Sequence, residues 1–246
     1  MPFYAASTIK LAVLIAVMRM VDDNSLVLEQ KLSSQHEFLS SIPQAGLFVF
    51  EEDEVDVGMP PVGDEISLWD ALDRMITVSS NETTNMAVNL TGLEAVNEAL
   101  RVCQTSVSKM ERLIGDHVAM DRGLTNEVSA RDLTRILSSI VNGLCASAES
   151  TDLMIELLRA QQLGVIGEAI PSHEWGSKSG WVNGIRHDVA FFAPPGSGIS
   201  EGYILAVCTR GYEALPGTEA IQAIASLAWD SITGLRVSME SGIKEA

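Results

Sequence analysis

Ser7-Thr8-Ile9-Lys10 sets a hydroxyl and an amine three residues apart, so that on a helix both side chains share one face. The pairing suits acyl transfer by serine: a hydroxyl becomes a nucleophile when a neighbouring base takes its proton, and burial lowers a lysine toward a neutral, proton-accepting amine. The spacing alone is not selective, because Ser106-Val107-Ser108-Lys109 and Ser241-Gly242-Ile243-Lys244 repeat it. Ser7 is set apart by standing at the head of a strongly apolar helical pattern, where burial and the positive end of a helix dipole coincide. Two other patterns occur once each. Ser79-Ser80-Asn81 follows the helical stretch ending Arg74-Met75-Ile76-Thr77-Val78; by itself it reads as a helix cap or turn. Lys178-Ser179-Gly180 lies on or beside a β-rich run, where a charge, a hydroxyl and close backbone approach suit an anionic ligand, although a plain strand edge with a solvated lysine has the same letters.

With S-x-x-K, S-x-N and K-[ST]-G in this order, the chain resembles class A β-lactamases and the related penicillin-recognising serine hydrolases. The resemblance covers nearly the whole chain: Ile76 to Asn85 is similar to the family's helix and S-D-N loop, and Trp175 to Arg186 to its K-[ST]-G strand. It implies that Ser7 attacks a lactam carbonyl with Lys10 as base, that Ser79 and Lys178 relay a proton to the departing nitrogen, and that Asn81 orients the substrate amide. It also implies an oxyanion hole from the backbone N–H groups of Ser7 and Trp181. Ser179 and Lys178 would hold the substrate carboxylate beside Gly180, and Arg186 or Arg210 would add positive potential or serve only at the surface. No metal and no organic cofactor is implied, and the substrate is a small molecule, a β-lactam or a peptidoglycan-like peptide. The implied fold is α+β, of the β-lactamase/transpeptidase type. A mainly helical part, residues 23–144, lies beside an α/β part, residues 1–22 and 145–246, with the cleft between them.

Three departures from the pattern matter. Ser80 stands where the family has aspartate, a mild change. Ile114 stands where a glutamate on an Ω loop would activate the deacylating water, in the stretch Glu111-Arg112-Leu113-Ile114-Gly115-Asp116-His117-Val118; Asp116 or Glu111 are the replacement candidates, each also readable as a loop carboxylate. The residues ahead of Ser7 do not supply the two strands and helix that the family places there. The sheet should therefore be three-stranded or smaller, with an apolar edge that further chain or another surface would cover.

The elements that position these residues follow from hydrophobic periodicity. From Ser7 to Val21 a helix is apolar on nearly every side and belongs in a core. Residues 35 to 64, with Pro43, Pro60, Pro61 and the run Glu51-Glu52-Asp53-Glu54, read as an extended, solvated connection. Helical patterns follow at 67–76, 84–90, 93–102, 130–142 and 150–158, with Ser67 and Ser129 as N-caps, and a last one at 218–232. Asp188-Val189-Ala190-Phe191-Phe192 and Tyr203-Ile204-Leu205-Ala206-Val207-Cys208, separated by Pro194-Pro195-Gly196, read as neighbouring antiparallel strands. Helices grouped ahead of strands, without a βαβ alternation, give an α+β protein.

Composition narrows the function classes. A net charge of −17 with 16 basic residues excludes the electropositive footprint of a nucleic-acid binder. Cys103, Cys145 and Cys208 are too few and scattered for a disulfide framework or a zinc site and read as buried thiols. The apolar octet Leu11 to Met18 lacks the flanks of a signal peptide and is too short to span a bilayer; export is implied only by the resemblance. Two readings stand beside a β-lactamase: a D-alanyl-D-alanine peptidase or esterase that acylates readily but releases β-lactams slowly, which the missing glutamate favours, and a non-catalytic binding or sensor domain that keeps the pocket.

Overall fold

A computed structural model describes residues 1–51, 54–170, 174–194 and 196–243; side chains at 200 and 235–243 lie outside that description, as do Glu52 and Asp53 of the acidic run, Pro195 and Lys244. The chain begins with β1 (Phe3–Tyr4), a 3-10 turn (Ala6–Ile9) and α1 (Lys10–Asp22), then β2 (Lys31–Ser33), β3 (Glu37–Leu39), β4 (Leu47–Val49) and β5 (Glu65–Ser67). Next come α2 (Leu68–Thr77), α3 (Asn81–Val102), β6 (Lys109–Met110), α4 (His117–Asp121), β7 (Asn126–Val128), α5 (Ala130–Val141) and α6 (Ala148–Arg159). The strands β8 (Glu174–Val182), β9 (Ile185–Ala193) and β10 (Tyr203–Cys208) and the helix α7 (Ala214–Ile243) close it. The α+β class is as expected.

A helix without a polar face is stable only inside the protein, and every residue of α1 from Lys10 to Met18 is buried, packed by α2, α3, α5 and α6. The Ser67 hydroxyl accepts from Asp70 N at 3.0 Å and the Ser129 hydroxyl from Asp132 N at 3.1 Å, so both N-caps lie where the sequence puts them. The two helices expected at 84–90 and 93–102 are both present within α3, which is kinked between them at Gly92, whose φ of 77° lies outside any right-handed helix. α3 also starts earlier than its apolar pattern, because Ser80 is its N-cap and accepts from Thr83 N at 3.4 Å. Serine and aspartate cap equally well, which is why the Ser80 departure leaves the loop intact.

β8, β9 and β10 form an antiparallel sheet with β9 central; Tyr203 lies opposite Phe192 and Lys178 opposite Val189. Side chains alternate faces along β9: Val189 and Phe191 enter the main core, while Ala190 and Phe192 meet Ile221, Ala225 and Trp229 beneath α7. Covered on both faces, β9 is apolar throughout its second half rather than alternating. Among the described residues no strand pairs with the outer edge of β10, and Ile204 to Ala206 remain half-buried there, as the sequence predicts.

Three expectations are corrected. The connection at 35–64 is not simply solvated: β3 and β4 pair as a hairpin, and Phe38, 1% exposed, clusters with Phe48 and Phe50. That cluster seats on Gly115, where a Cβ would meet the Phe50 ring at 2.6 Å, so the hairpin braces the 111–118 loop. Cys208 is half-buried rather than buried, while Cys103 and Cys145, far apart in sequence, meet side chain to side chain as free thiols. The last helix, α7, is much longer than 218–232. None of the described helices is long and apolar enough to cross a membrane.

Candidate active site

Ser7 lies on the 3-10 turn just ahead of α1 rather than within the α-helix. The turn is fixed from three sides: Ala5 N donates to Asn126 O of β7 at 2.8 Å, Thr8 Oγ1 donates to Ala5 O at 2.6 Å, and His187 Nε2 sits 3.0 Å from Tyr4 O. Ala6, immediately before Ser7, has φ of 45°, and Ser79 has φ of 63°. Residues with a Cβ are strained there, and the surrounding contacts hold them. Gly180 is required by close approach: a Cβ on it would meet Ser7 N at 2.7 Å and Thr8 N at 2.8 Å. With glycine the β8 backbone lies against the turn, and Ser7, Asn81 and Trp181 line one cavity of about 450 Å³.

A second hollow joins Ser7 to Ser79, Ser80 and Asn81. Ser79 is the meeting point of two fully buried amines: Lys10 Nζ lies 3.3 Å and Lys178 Nζ 3.1 Å from its Oγ. Lys10 Nζ also donates to Ser79 O at 2.5 Å, Ser80 O at 3.2 Å and Asn81 Oδ1 at 2.9 Å, while Lys178 Nζ donates to Ser179 O at 2.9 Å. Burial and the facing Lys178 charge hold Lys10 well below the ordinary lysine range, against the opposing pull of Glu82 and Asp56. Burial lowers Lys178 to about 7, opposed by Asp188 and assisted by Arg186. Ser7 Oγ makes no hydrogen bond among the described residues; the hydroxyl is open toward the cavity. Ser179 Oγ is buried without a partner among the described residues, one residue from Lys178, which leaves an unfilled hydroxyl beside that amine.

The remaining predicted residues divide. The Arg186 guanidinium lies 4.9 Å over the ring of Trp181, which lines the cavity, and burial lowers its pKa. Arg210 stands apart, 4.2 Å over the Phe3 ring and bonded to Pro2 O at 2.8 Å, where it clasps the start of the chain. Asp116 is buried and fully used: it accepts from Ser40 Oγ at 2.9 Å, Ser41 N at 2.7 Å and Ala119 N at 3.0 Å, capping α4 and tying it to the hairpin. Glu111 pairs with Lys109 at 3.0 Å and accepts from Thr125 N at 3.0 Å. Neither carboxylate lines the Ser7 cavity. The rival Ser106 instead bonds Asp132 Oδ1 at 3.0 Å in a loop, and the Ser241–Lys244 match reaches beyond the described residues.

Several site residues carry no sequence signal of comparable strength. Glu82 is fully buried beside the S-x-N loop; its carboxylate accepts from Asp56 N at 3.0 Å and lies 3.3 Å from both Ser80 Oγ and His36 Nδ1. It thereby puts a carboxylate behind Ser80. Asn85 clamps the facing loop at both backbone groups of Ile114, donating to its O and accepting from its N at 2.9 Å each. Ile114 so held contributes to the cavity wall. Position 82 reads as an ordinary acidic residue in a first helical turn and Asn85 as a mid-helix polar residue. Only the tertiary neighbours reveal them.

Similarity to known proteins agrees with this geometry. Residues 1–232 match the model of the beta-lactamase enzyme family. Among solved structures, the beta-lactamase from Sphaerobacter thermophilus DSM 20745 superposes with a TM-score of 0.77 at 27% identity, over 95% of this chain and 84% of that one. A PBP-A mutant in an acyl-enzyme complex with penicillin G gives 0.74 at 20%, over 95% and 83%, and a class A beta-lactamase from Mycobacterium abscessus 0.76 at 19%, over 95% and 86%. The latter two are similar in fold alone. No curated protein matches the chain. With the family's model spanning nearly the whole sequence, and Ser7, Ser79 and two buried lysines gathered at one cleft, this chain belongs to the beta-lactamase enzyme family of serine hydrolase type.

Proposed function

We propose that the protein forms an acyl-enzyme with β-lactams through Ser7, as class A β-lactamases do. The observation that carries this reading is the Ser79 hydroxyl held between Lys10 and Lys178 in the hollow that Ser7 also lines. In this reading Ser7 Oγ attacks the lactam carbonyl and gives its proton to neutral Lys10, which burial favours. The C–N bond breaks, and the nitrogen takes a proton delivered through Ser79, to which both lysines are bonded. Backbone N–H groups of Ser7 and Trp181, brought together by the Gly180 approach, stabilise the oxyanion, and Asn81 orients the acyl amide. The substrate carboxylate is received by Lys178 and the unpartnered Ser179 hydroxyl. The cleft lies between the parts 23–144 and 1–22 with 145–246.

Release of the acyl group is slow in this reading, the behaviour of a penicillin-binding peptidase or esterase. Its support is the wall opposite Ser7: Ile114 occupies the clamped position, and Asp116 and Glu111 are committed to other partners. A chromogenic cephalosporin separates the cases. A stoichiometric burst followed by slow turnover is expected, with the adduct on Ser7 by mass spectrometry. Rapid sustained turnover removes the slow-release reading, and no burst at all leaves a pocket that only binds.

A further inference from the structure

Arg112 is a buried cation that takes no part in the meeting of Lys10 and Lys178 at Ser79. Its side chain is 1% exposed, yet among the described residues no carboxylate lies within ion-pair distance. Its donors reach Leu113 O at 3.1 Å, Tyr4 Oη at 2.9 Å and, weakly, Met120 Sδ at 3.5 Å, while Nε has no partner. The Tyr4 ring centroid lies 5.7 Å away. A guanidinium carries five donors in a planar fork suited to a carboxylate, and a buried charge without a counter-ion is costly to the fold. Arg112 lines the same cavity as Ser7, Asn81 and Trp181, and the apolar side chains of Ile114 and Ile185 line it too. Lys178 and Ser179 do not line that cavity, so the anion position beside them is a different one.

We infer that Arg112 is a specificity-determining residue that receives a second anionic group, a carboxylate on the acyl side chain of the substrate, in exchange for its weak thioether contact. This rests on the acyl-transfer reading above. A thioether is a poor acceptor and a carboxylate a strong bidentate one, so the exchange gains charge-assisted hydrogen bonds without leaving Tyr4. The apolar residues of the cavity meanwhile accommodate the hydrocarbon part of the same side chain.

The test compares α-carboxybenzylpenicillin with benzylpenicillin, which differ by that carboxylate, in one enzyme preparation. The expected ratio of second-order acylation rate constants favours the carboxylated compound by about tenfold or more in the wild type and falls toward one in Arg112→Gln. Arg112→Lys, which keeps charge but not the fork, should fall between them. A wild-type ratio near one, or a ratio that Arg112→Gln leaves unchanged, overturns the inference; the wild-type ratio decides even if the variant does not fold. Binding of phenylmalonate and phenylacetate, read by tryptophan fluorescence, addresses the subsite without acylation. Tighter binding of phenylmalonate that is lost in Arg112→Gln supports the subsite even if neither penicillin reacts, a result that overturns only the acyl-transfer reading. Phenylmalonate binding no tighter than phenylacetate overturns the subsite.

Discussion

The 79–81 loop and the 111–118 loop face Ser7 from different walls and use buried charge in opposite ways. At 79–81 the strained Ser79 backbone and the α3 cap aim oxygens at Lys10, and Glu82 braces them from behind, so two amines are kept pointed at one hydroxyl. At 111–118 the buried carboxylate, Asp116, is turned away from the cavity to cap α4 and hold Ser40 and Ser41. The wall itself presents Ile114 and Arg112. One wall thus gathers the groups that the proposed acylation would use to move a proton. The other is built to hold a shape: its two carboxylates, Asp116 and Glu111, are engaged elsewhere, and it presents the His117 imidazole to the cavity rather than a carboxylate. Identical residue types therefore do different work according to whether their lone pairs are already spent.

The comparison breaks most sharply at the nucleophile. Ser7→Ala should abolish the adduct in mass spectra and cut acylation by roughly 10⁴-fold or more. If the hydroxyl between the lysines matters as argued, Ser79→Ala and Lys10→Gln should each slow acylation by about 10²–10⁴-fold in stopped-flow measurements; loss of a few-fold would strip the first wall of its role. Ile114→Glu places a carboxylate on the second wall, and deacylation should accelerate by about 10²-fold, with the acyl-enzyme lifetime as readout. An unchanged lifetime would mean that something other than the missing base limits release.

The pH dependence sharpens the first wall. Lys178 is charged below about 7 and loses its proton above it, so binding of the substrate carboxylate, and with it kcat/KM for acylation, should decline by about tenfold per unit once pH passes well above 7. Lys10 acts in the opposite sense: it must be neutral to accept a proton, so its lowered pKa extends acylation to lower pH than an ordinary lysine would allow. A profile that keeps rising through pH 9 would contradict the charged role of Lys178. The smallest effect on activity belongs to Asp116→Asn. It should cost about 1–3 kcal/mol in denaturant unfolding through lost charge-assisted bonds, while changing acylation less than about threefold.

How much was legible varies with the kind of signal. Ser7, Lys10, Ser79, Asn81 and Lys178 stand in motifs whose order and helical or strand setting identify them, and the structure brings all five together. The caps at Ser67 and Ser129 were equally readable, because an N-cap is decided within three residues of sequence. Asp116 and Arg210 were plausible by type alone, and type does not show that their polar atoms are already engaged. Glu82, Asn85 and Arg112 gave no local sign, since each acts across a long stretch of chain: on Asp56, on Ile114, and on Tyr4.

Sequence alone determined the apolar α1 that must be buried, the hydroxyl and amine at its head, and the β-rich runs that carry Lys178, because periodicity and short spacing are local properties of the chain. Tertiary structure alone decided which lone pairs stay free. It set β8 against the Ser7 turn through Gly180, buried Lys10 and Lys178 so that their charges became unfavourable, and left Arg112 without a counter-ion among the described residues. Desolvation and hydrogen-bond satisfaction depend on every neighbour that folding delivers, and those neighbours are distant in sequence.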